Sequence, residues 1–569
     1  MVALIYQNPA VSCKLAALSR TIRKLFGGCI PQLSNKRKLE VMPQSKSTIT
    51  THPEQDDSMI LNYDILLVIM SHIHDQLALF HYMITCKTLY HAGFLYFLEL
   101  PLYFSNTKDV RSDRPDRKPL NPSWFLSFMA RNPSQYLRIK DLDVAMAFGH
   151  NDTGAIEDIL KTSISESKQI ERLRIYIEWR KGPDIRFFIP ESYSFQCLQH
   201  LDIRYLGEEA MKKVATMDAP LKTISIGFAR AWDEDGEDSD YSTEPIPLLK
   251  NFAETLEELH VEDGQWITLD EYYPIIYSRL HTLKLSAADY IEGIPLLGQM
   301  NYSFPNLTTL HIESMSPPQE EMDFSRSCNL LFLRRHRERG FQEWPHLKYL
   351  ETEAATLYCL ALSCNIEQVK VTRCSSRHMI ECEQALASIR PQTLDITFNN
   401  PHEIFAQNLD RNPSLIFAYV GLNQLTMTLN STRITETVHA VKQCLEGVIG
   451  ALSDSKAVKK FSLTVKWGEL GIPALRNHSF NISDDDEDSN KDYHPQSNPT
   501  LVYGVCPDHI SEYFNSLDHA DLAKRFVDFS PSLESIELNF VRTSPEAHVS
   551  RKWNVVREDP RMDYTLEAM

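Results

Sequence analysis

One short pattern of hydrophobic and polar positions returns along most of the chain, with apolar residues at its first, fourth and sixth positions. The last two apolar residues alternate with polar ones, as a half-buried β-strand requires. Weaker copies begin at Leu347 and Pro391. Eleven clear copies begin at Ile139, Ile170, Leu198, Leu221, Leu256, Leu280, Leu307, Ile366, Leu422, Val458 and Leu533. Each of these copies predicts one strand.

The segments between copies have helical spacing, for example residues 156–167 and 517–529. A single strand–helix unit cannot bury its own apolar faces, whereas stacked units can. The pattern is therefore similar to leucine-rich repeats and predicts an irregular α/β solenoid with one strand plus one helix per repeat. The spacing varies from 19 residues (Leu347 to Ile366) to 75 residues (Val458 to Leu533). An ordinary α/β sheet with alternating strands and helices is the alternative.

A dense apolar segment precedes the repeats. Leu61–Ile73 reads LNYDILLVIMSHI, and nine of its thirteen residues are apolar or aromatic. It is too short to cross a bilayer, which takes about 20 apolar residues. It is also apolar on more sides than a surface helix with one buried stripe. The segment predicts a helix that packs on following helices near Leu79 and leaves an apolar side for another protein.

Composition and charge divide the chain into five parts. They are a disordered basic segment (1–57), an apolar helical domain (58–104), a polar linker (105–122), the repeats (123–545) and a C-terminal tail (546–569). Acidic loop insertions interrupt the repeats near residues 233–245 and 481–498.

The chain has 58 basic and 76 acidic residues, a formal net charge of −18. Eleven of the acids lie in Asp233–Asp240 and Asp484–Asp488. Nucleic-acid binding needs clustered positive charge, so no nucleic-acid partner is expected. No apolar run reaches membrane-spanning length, so no membrane partner is expected. The eleven cysteines form no CxxC pair and we expect no secretory segment, so a cytoplasmic and/or nuclear setting is expected.

Candidate catalytic chemistry is sparse. The chain contains no P-loop, GxGxxG, HExxH or GxSxG motif, so we expect neither an enzyme nor a cofactor. Cys359, Cys364, Cys374, His378 and Cys382 are the nearest approach to a zinc site, and the last three would align on one helix. Cys359 and Cys364 belong to an apolar stretch, where a free cysteine packs as a small hydrophobic residue, and no metal is expected.

A basic segment, LRRHRERG (333–340), carries four arginines. We expect it on an exposed loop or helix, where a solvated basic face is favoured over a phosphate site.

The apolar segment resembles an F-box. That family opens Leu-Pro-x-Glu-Ile-Leu, and residues 61–66 read LNYDIL, followed by Ile69, Ile73 and Leu77. The closing Val-Cys-Lys corresponds to residues 85–87 (TCK), and Leu89 follows. Asn62 stands in place of the proline, Asp64 in place of the glutamate, and no tryptophan follows the TCK sequence.

An F-box followed by leucine-rich repeats resembles the substrate receptors of SCF-type cullin–RING ubiquitin ligases, in particular fungal members. The resemblance implies a non-catalytic subunit of a small helical F-box and a solenoid. Its partners would be the SCF adaptor, through it a cullin, and a protein substrate. It assigns adaptor binding to Leu61, Ile65, Leu66, Ile69, Ile73, Leu77, Cys86 and Leu89.

Polar residues beside the buried strand positions are expected on the concave face of such a solenoid, where substrate would bind. The candidates are Arg174, Tyr176, Arg204, His260, Glu262, Lys284, His311, Glu313 and Lys370. The alternative function is a leucine-rich-repeat scaffold or inhibitor that acts outside the ubiquitin system.

Overall fold

A computed structural model provides the structure of the chain. It describes residues 63–73, 76–83, 85, 87–106, 119–131, 133–147, 153–178, 195–206, 208–228, 244–262, 264, 273–286, 297–313, 319–340, 343–405, 421–431, 438–453, 455–467, 508–542, 548–557 and 564–568. The basic segment 1–57 and most of the two acidic insertions lie outside these residues.

Sixteen strands within the described residues form one open sheet, and each strand lies beside the next in chain order. β1 to β14 are parallel, and β15 and β16 are antiparallel to their neighbours. The strands are β1 (Leu102–Ser105), β2 (Asp141–Ala147), β3 (Arg172–Glu178), β4 (His200–Leu206), β5 (Thr223–Phe228), β6 (Glu258–Glu262), β7 (Thr282–Ser286), β8 (Thr309–Glu313), β9 (Tyr349–Thr352), β10 (Gln368–Cys374), β11 (Thr393–Asn399), β12 (Gln424–Ser431), β13 (Lys460–Trp467), β14 (Ser535–Arg542), β15 (His548–Arg557) and β16 (Tyr564–Ala568).

All thirteen predicted strands are present, as β2 to β14. In each, the alternating apolar residues point into the core: Leu142 and Val144 on β2 are fully buried, and so are Leu350 on β9 and Leu394 on β11. The repeat pattern did not predict β1, β15 or β16. The last two fall within the segment assigned as a C-terminal tail, and they extend the sheet by two strands.

Fifteen α-helices lie within the described residues. They are α1 (Tyr63–Ser71), α2 (Gln76–Met83), α3 (Lys87–Glu99), α4 (Pro122–Met129), α5 (Thr153–Glu166), α6 (Glu208–Thr216), α7 (Pro245–Leu248), α8 (Leu297–Ser303), α9 (Gln319–Glu338), α10 (Ala354–Leu360), α11 (Met379–Ile389), α12 (Pro401–Phe405), α13 (Val438–Ser453), α14 (Asp508–Ser516) and α15 (His519–Phe529). Short 3-10 helices occupy Pro133–Arg138, Lys250–Phe252 and Ser376–His378.

The helices are less regular than one per strand. The described residues between β3 and β4, and between β6 and β7, contain no helix. Where helices form, their ends follow ordinary capping: Asn121 Oδ1 accepts from Trp124 N at 2.8 Å at the start of α4, and Pro122 follows at the first helical position. Asp518 caps α15 in the same way.

The helices pack on one face of the sheet. Each parallel strand lies beside the next strand of the chain, so every connection between them runs in the same direction along the sheet. Connections between parallel strands are almost always right-handed, and successive helices therefore lie on the same side of the sheet. Ile156 and Ile159 of α5 join Leu142 and Val144 of β2 in one buried cluster that runs through the sheet. The other face carries the polar strand residues. The architecture is therefore mixed α/β with one long open sheet, compatible with a solenoid-like arrangement.

The N-terminal helices close on one another before the sheet begins. Met70 of α1 and Met83 of α2 are fully buried and meet at Gly93 of α3, where a Cβ would lie 1.9 Å from Met70 Cε. Phe94 of α3 packs against Phe128 of α4, with ring centroids 3.6 Å apart. The three helices thus share the hydrophobic core of the first strands.

Within the described residues, no helix combines the length and the apolar character needed to cross a membrane.

Candidate functional site

Parallel register aligns polar side chains of successive strands into one row on the face away from the helices. Because each strand places the residue between its two core apolar positions on this face, the register repeats that position from strand to strand. The central polar row consists of Asp143, Arg174, Asp202, Ser225, His260, Lys284, His311, Glu351, Lys370, Asp395, Thr426, Ser462 and Glu537.

Arg174 on β3 and Arg204 on β4 form ion pairs within this face. Arg174 Nη1 donates to Asp143 Oδ2 at 3.1 Å across β2 and β3. Arg204 donates through Nη1 to Glu262, and its Nε lies 3.5 Å from Asp202 Oδ1. All five side chains are less than one-third exposed, so these ions are partly desolvated and hold one another in place.

His260 on β6 acts as a hydrogen-bonding bridge. Its Nδ1 lies 3.3 Å from Ser225 Oγ on β5, and its Nε2 lies 3.1 Å from Ser286 Oγ on β7. Burial, with the positive charge of Arg204, lowers the pKa of His260 to about 4. Glu262 is close, but its carboxylate is already paired with Arg204. The imidazole is therefore neutral near pH 7 and offers one donor and one acceptor.

Glu351 on β9 is the centre of a second network. Its Oε1 lies 2.7 Å from Lys370 Nζ, and its Oε2 accepts from Tyr349 Oη at 2.8 Å and lies 3.0 Å from His311 Nδ1. Burial opposes ionisation of Glu351, but the hydrogen bonds from Lys370 and Tyr349 outweigh it and lower its pKa. Burial lowers the pKa of His311 despite this neighbouring carboxylate.

Lys284 on β7 lies between these two networks. It is exposed, and among the described residues it makes no ion pair. Its neighbours along the central polar row are His260 and His311, whose lowered pKa values leave them uncharged near pH 7. Lys284 is therefore available to an anionic group of a partner.

The remaining candidates, Tyr176 and Glu313, lie two residues after the central polar row on their strands. Tyr176 is half-buried and pairs in register with Arg204. Glu313 is exposed and pairs with Ser286. The nine predicted residues thus share one face, on strands from β3 to β10. Seven strand spacings of about 4.8 Å separate the ends of this set, so the site is an extended surface and not a single pocket.

Asp143, Ser225 and Glu351 belong to this surface but were not among the predicted residues. They occupy the same position of the repeat as Arg174 and the other chosen residues. The repeat position itself was the signal that could have found them. Glu351 lies in a weak copy, LKYLET, in which Thr352 replaces the last apolar residue.

Three of the predicted adaptor-binding residues, Ile65, Leu66 and Ile69, lie on α1, and Ile73 lies just after its end. Ile65 is 40% exposed, and the neighbouring Val68, which was not assigned, is 57% exposed. Leu66, Ile69 and Ile73 are half-buried, and Leu89 of α3 is buried. Leu77 lies within α2. Leu61 and Cys86 lie outside the described residues.

The cysteine–histidine group does not share one helix. Cys374 ends β10, His378 lies in a 3-10 helix, and Cys382 belongs to α11. Cys374 and Cys382 are fully buried, as is Cys359. Burial raises the pKa of the Cys359 thiol to about 12, which keeps it protonated. No group of three or more possible ligands that could hold a metal ion is found among the described residues.

The basic segment covers the C-terminal end of α9 and the two residues after it. Arg334, Arg335, Arg337 and Arg339 are exposed, whereas His336 between them is buried. Arg334 pairs with Glu338 at 3.1 Å, and Arg337 with Glu343 at 2.9 Å.

Comparison of the sequence with known protein families, and with curated proteins, finds no match.

Proposed function

We propose that the chain is the substrate-recognition subunit of an SCF-type cullin–RING ubiquitin ligase. The observation that carries this proposal is the uneven burial of α1. Met70 is fully buried against α2 and α3, while Ile65 and Val68 on the same helix face solvent. Exposed neighbouring apolar side chains on a small helical domain mark a protein-binding surface.

The F-box resemblance names the partner that would cover this surface. Residues 61–66 and 85–89 carry the family pattern, and α1 to α3 occupy the same segment. In the proposal, Ile65 and Val68 contact the SCF adaptor, and Leu66, Ile69 and Ile73 form the base of the contact. The adaptor then links the chain to a cullin. Complete burial of either side chain would contribute roughly 1.5–3 kcal/mol to the binding of the adaptor.

The polar face of the sheet is the proposed substrate surface, with the sheet acting as a leucine-rich-repeat-like solenoid. Most charges on the face are already paired, as in Arg174–Asp143 and Lys370–Glu351. A partner therefore meets a preformed polar surface on which Lys284 has no ion-pair partner among the residues that the structure describes. The subunit performs no bond chemistry, because its contribution is to raise the local concentration of substrate lysines near a ubiquitin-conjugating enzyme.

Adaptor capture tests the proposal directly. Wild-type chain is expected to co-purify with the SCF adaptor, and Ile65→Asp with Val68→Asp is expected to abolish capture, because charges replace apolar contacts. Leu137→Asp with Ile276→Asp is the matched control, since these side chains are similarly exposed, at 45% and 46%, and lie outside the F-box-like helices. Failure of the wild type to bind adaptor, or equal capture by both double variants, overturns the proposal.

The substrate surface has its own test. Proximity labelling with wild type and with Lys284→Glu compares the proteins that gather on the chain. We expect Lys284→Glu to lose a subset of them while adaptor capture stays unchanged. Lys524→Glu, an exposed lysine of α15 on the helical side, controls for the change in net charge. Identical protein sets for all three chains would exclude Lys284 as a contact.

A scaffold or inhibitor outside the ubiquitin system is the second candidate. Contacts between α3 and α4 favour this candidate: Phe94 packs against Phe128. Phe97 packs against Trp124. These contacts attach the N-terminal helices to the start of the sheet, which is all that a segment with only a capping role requires. A chain that gathers partners through Lys284 without binding adaptor would have this second function.

A further inference from the structure

The helix α9 (Gln319–Glu338) has 20 residues and is the longest helix within the described part of the chain. Its inner side packs on the neighbouring helices through Met322, Asn329 and Leu333, all buried. Asn329 Oδ1 accepts from Leu297 N at 3.1 Å, and its Nδ2 donates to Cys359 O at 3.0 Å. The helix is therefore held firmly between α8 and α10, and its outer side has a fixed position.

The outer side carries a narrow apolar stripe. Phe324 is 71% exposed and Leu331 is 47% exposed, and the half-exposed Cys328 lies between them. Glu321 and Arg335, both exposed, extend the stripe at its two ends. These five residues follow one another at spacings of three and four, so they lie along one line of the helix. We name them the outer seam.

The two charged residues of the outer seam have opposite signs and lie at equal distances along the sequence from Cys328. Glu321 precedes Cys328 by seven residues, and Arg335 follows it by seven. Among the described residues, neither Glu321 nor Arg335 makes an ion pair. A second outer seam in antiparallel orientation therefore meets every unpaired charge with its opposite. In parallel orientation, glutamate would face glutamate and arginine would face arginine.

We propose that a second copy of this chain docks on the outer seam, through antiparallel pairing of the two α9 helices about a two-fold axis near Cys328. The two copies of Phe324 and Leu331 then cover one another in the centre, and Glu321 of each copy pairs with Arg335 of the other. The same surface serves both subunits, as a two-fold interface requires.

The extent of the surface sets the strength of the interaction. One pair of 20-residue helices buries less than the roughly 1,600 Å² of a standard stable interface. Weak, concentration-dependent self-association is therefore expected. The proposal does not depend on the proposed function, because α1 and the polar face of the sheet take no part in it.

Charge reversal tests the pairing. Sedimentation over a wide range of protein concentration is expected to show a monomer–dimer equilibrium for the wild type. Glu321→Arg and Arg335→Glu should each weaken the dimer by more than about tenfold, because like charges then face each other at both ends. The double variant, Glu321→Arg with Arg335→Glu, should restore the wild-type affinity, which a misfolded or nonspecifically weakened chain would not do.

Cys328 provides an independent check of the geometry. A short bismaleimide should join two wild-type chains at this position, and Cys328→Ser should abolish the cross-linked species. A wild type that is monomeric at every concentration overturns the proposal. So does a dimer that is unaffected by the single charge reversals, or a double variant that remains as weak as the single ones.

Discussion

Arg204 on β4 donates a hydrogen bond to Glu262 on β6, although β5 lies between the two strands. Gly227 on β5 makes this contact possible. A Cβ at that position would lie 3.3 Å from Glu262 Oε2 and 3.5 Å from Arg204 Cα. The missing side chain leaves a gap in the polar face through which the arginine reaches the second neighbouring strand.

We therefore expect Gly227→Leu to separate Arg204 from Glu262 and to destabilise the protein by about 1–2 kcal/mol, since both ions lose a partner in a half-buried setting. Urea unfolding measures the loss. In a Glu262→Gln background the same glycine substitution should cost less, because the charged pair is already gone. An equal cost in both backgrounds would show that the leucine acts through crowding alone.

Glu351→Gln is expected to destabilise the sheet by about 1–2 kcal/mol. Lys370 loses its counterion, and Tyr349 and His311 lose a charged hydrogen-bonding partner. Glu313→Gln is the matched control, because that carboxylate is exposed and lies two strand positions from His311. The free energy of unfolding of this variant should stay within about 0.5 kcal/mol of the wild-type value. Similar losses for both variants would contradict a special role of Glu351.

The lowered pKa of His260 predicts a specific pH dependence. Below its unfolded value near 6.5, the unfolded chain takes up a proton that the folded chain does not bind until about pH 4. Stability is therefore fully present above pH 6.5 and falls by up to about 3 kcal/mol as the pH drops towards 4. Arg204, Lys284 and His311 face this imidazole and resist its protonation, whereas Asp202 favours it.

His260→Gln should flatten this part of the stability profile, because glutamine keeps a donor and an acceptor but does not titrate. Thermal midpoints at pH 7.5 and pH 5 measure the difference. His346→Gln, at an exposed histidine, should leave the wild-type profile unchanged. If the wild type and His260→Gln lose stability in parallel between the two pH values, the buried histidine is not the cause.

Gly93→Ala should loosen the helical domain. The added Cβ would meet Met70 Cε at 1.9 Å and Met83 Cγ at 2.4 Å, and overpacking of this kind costs about 1–3 kcal/mol. Limited proteolysis within residues 63–99 is expected to become faster, and adaptor capture weaker. Gly154→Ala is the control, because nothing lies within 4 Å of its added Cβ. That change should be neutral or stabilising by up to about 1 kcal/mol.

The thirteen strands β2 to β14 could be predicted because their signal is local. Two apolar residues that alternate with polar ones fit the pleat of a half-buried strand wherever the strand lies, so Leu142 and Val144 already mark β2 in the sequence. The same alternation placed all nine candidate polar residues on one face. β15 and β16 escaped prediction because their partners are antiparallel and lie at the end of the sheet, where the repeat pattern stops.

The sequence by itself determined where the strands lie along the chain, the apolar core positions and the polar character of the opposite face, since each follows from side-chain alternation over six residues. Only the tertiary structure decided which charges meet. Arg204 pairs with Glu262 because register and Gly227 bring them together across 58 residues of chain. Within the described part of the chain, the packing of neighbouring elements brings no partner of opposite charge beside Lys284, Glu321 or Arg335.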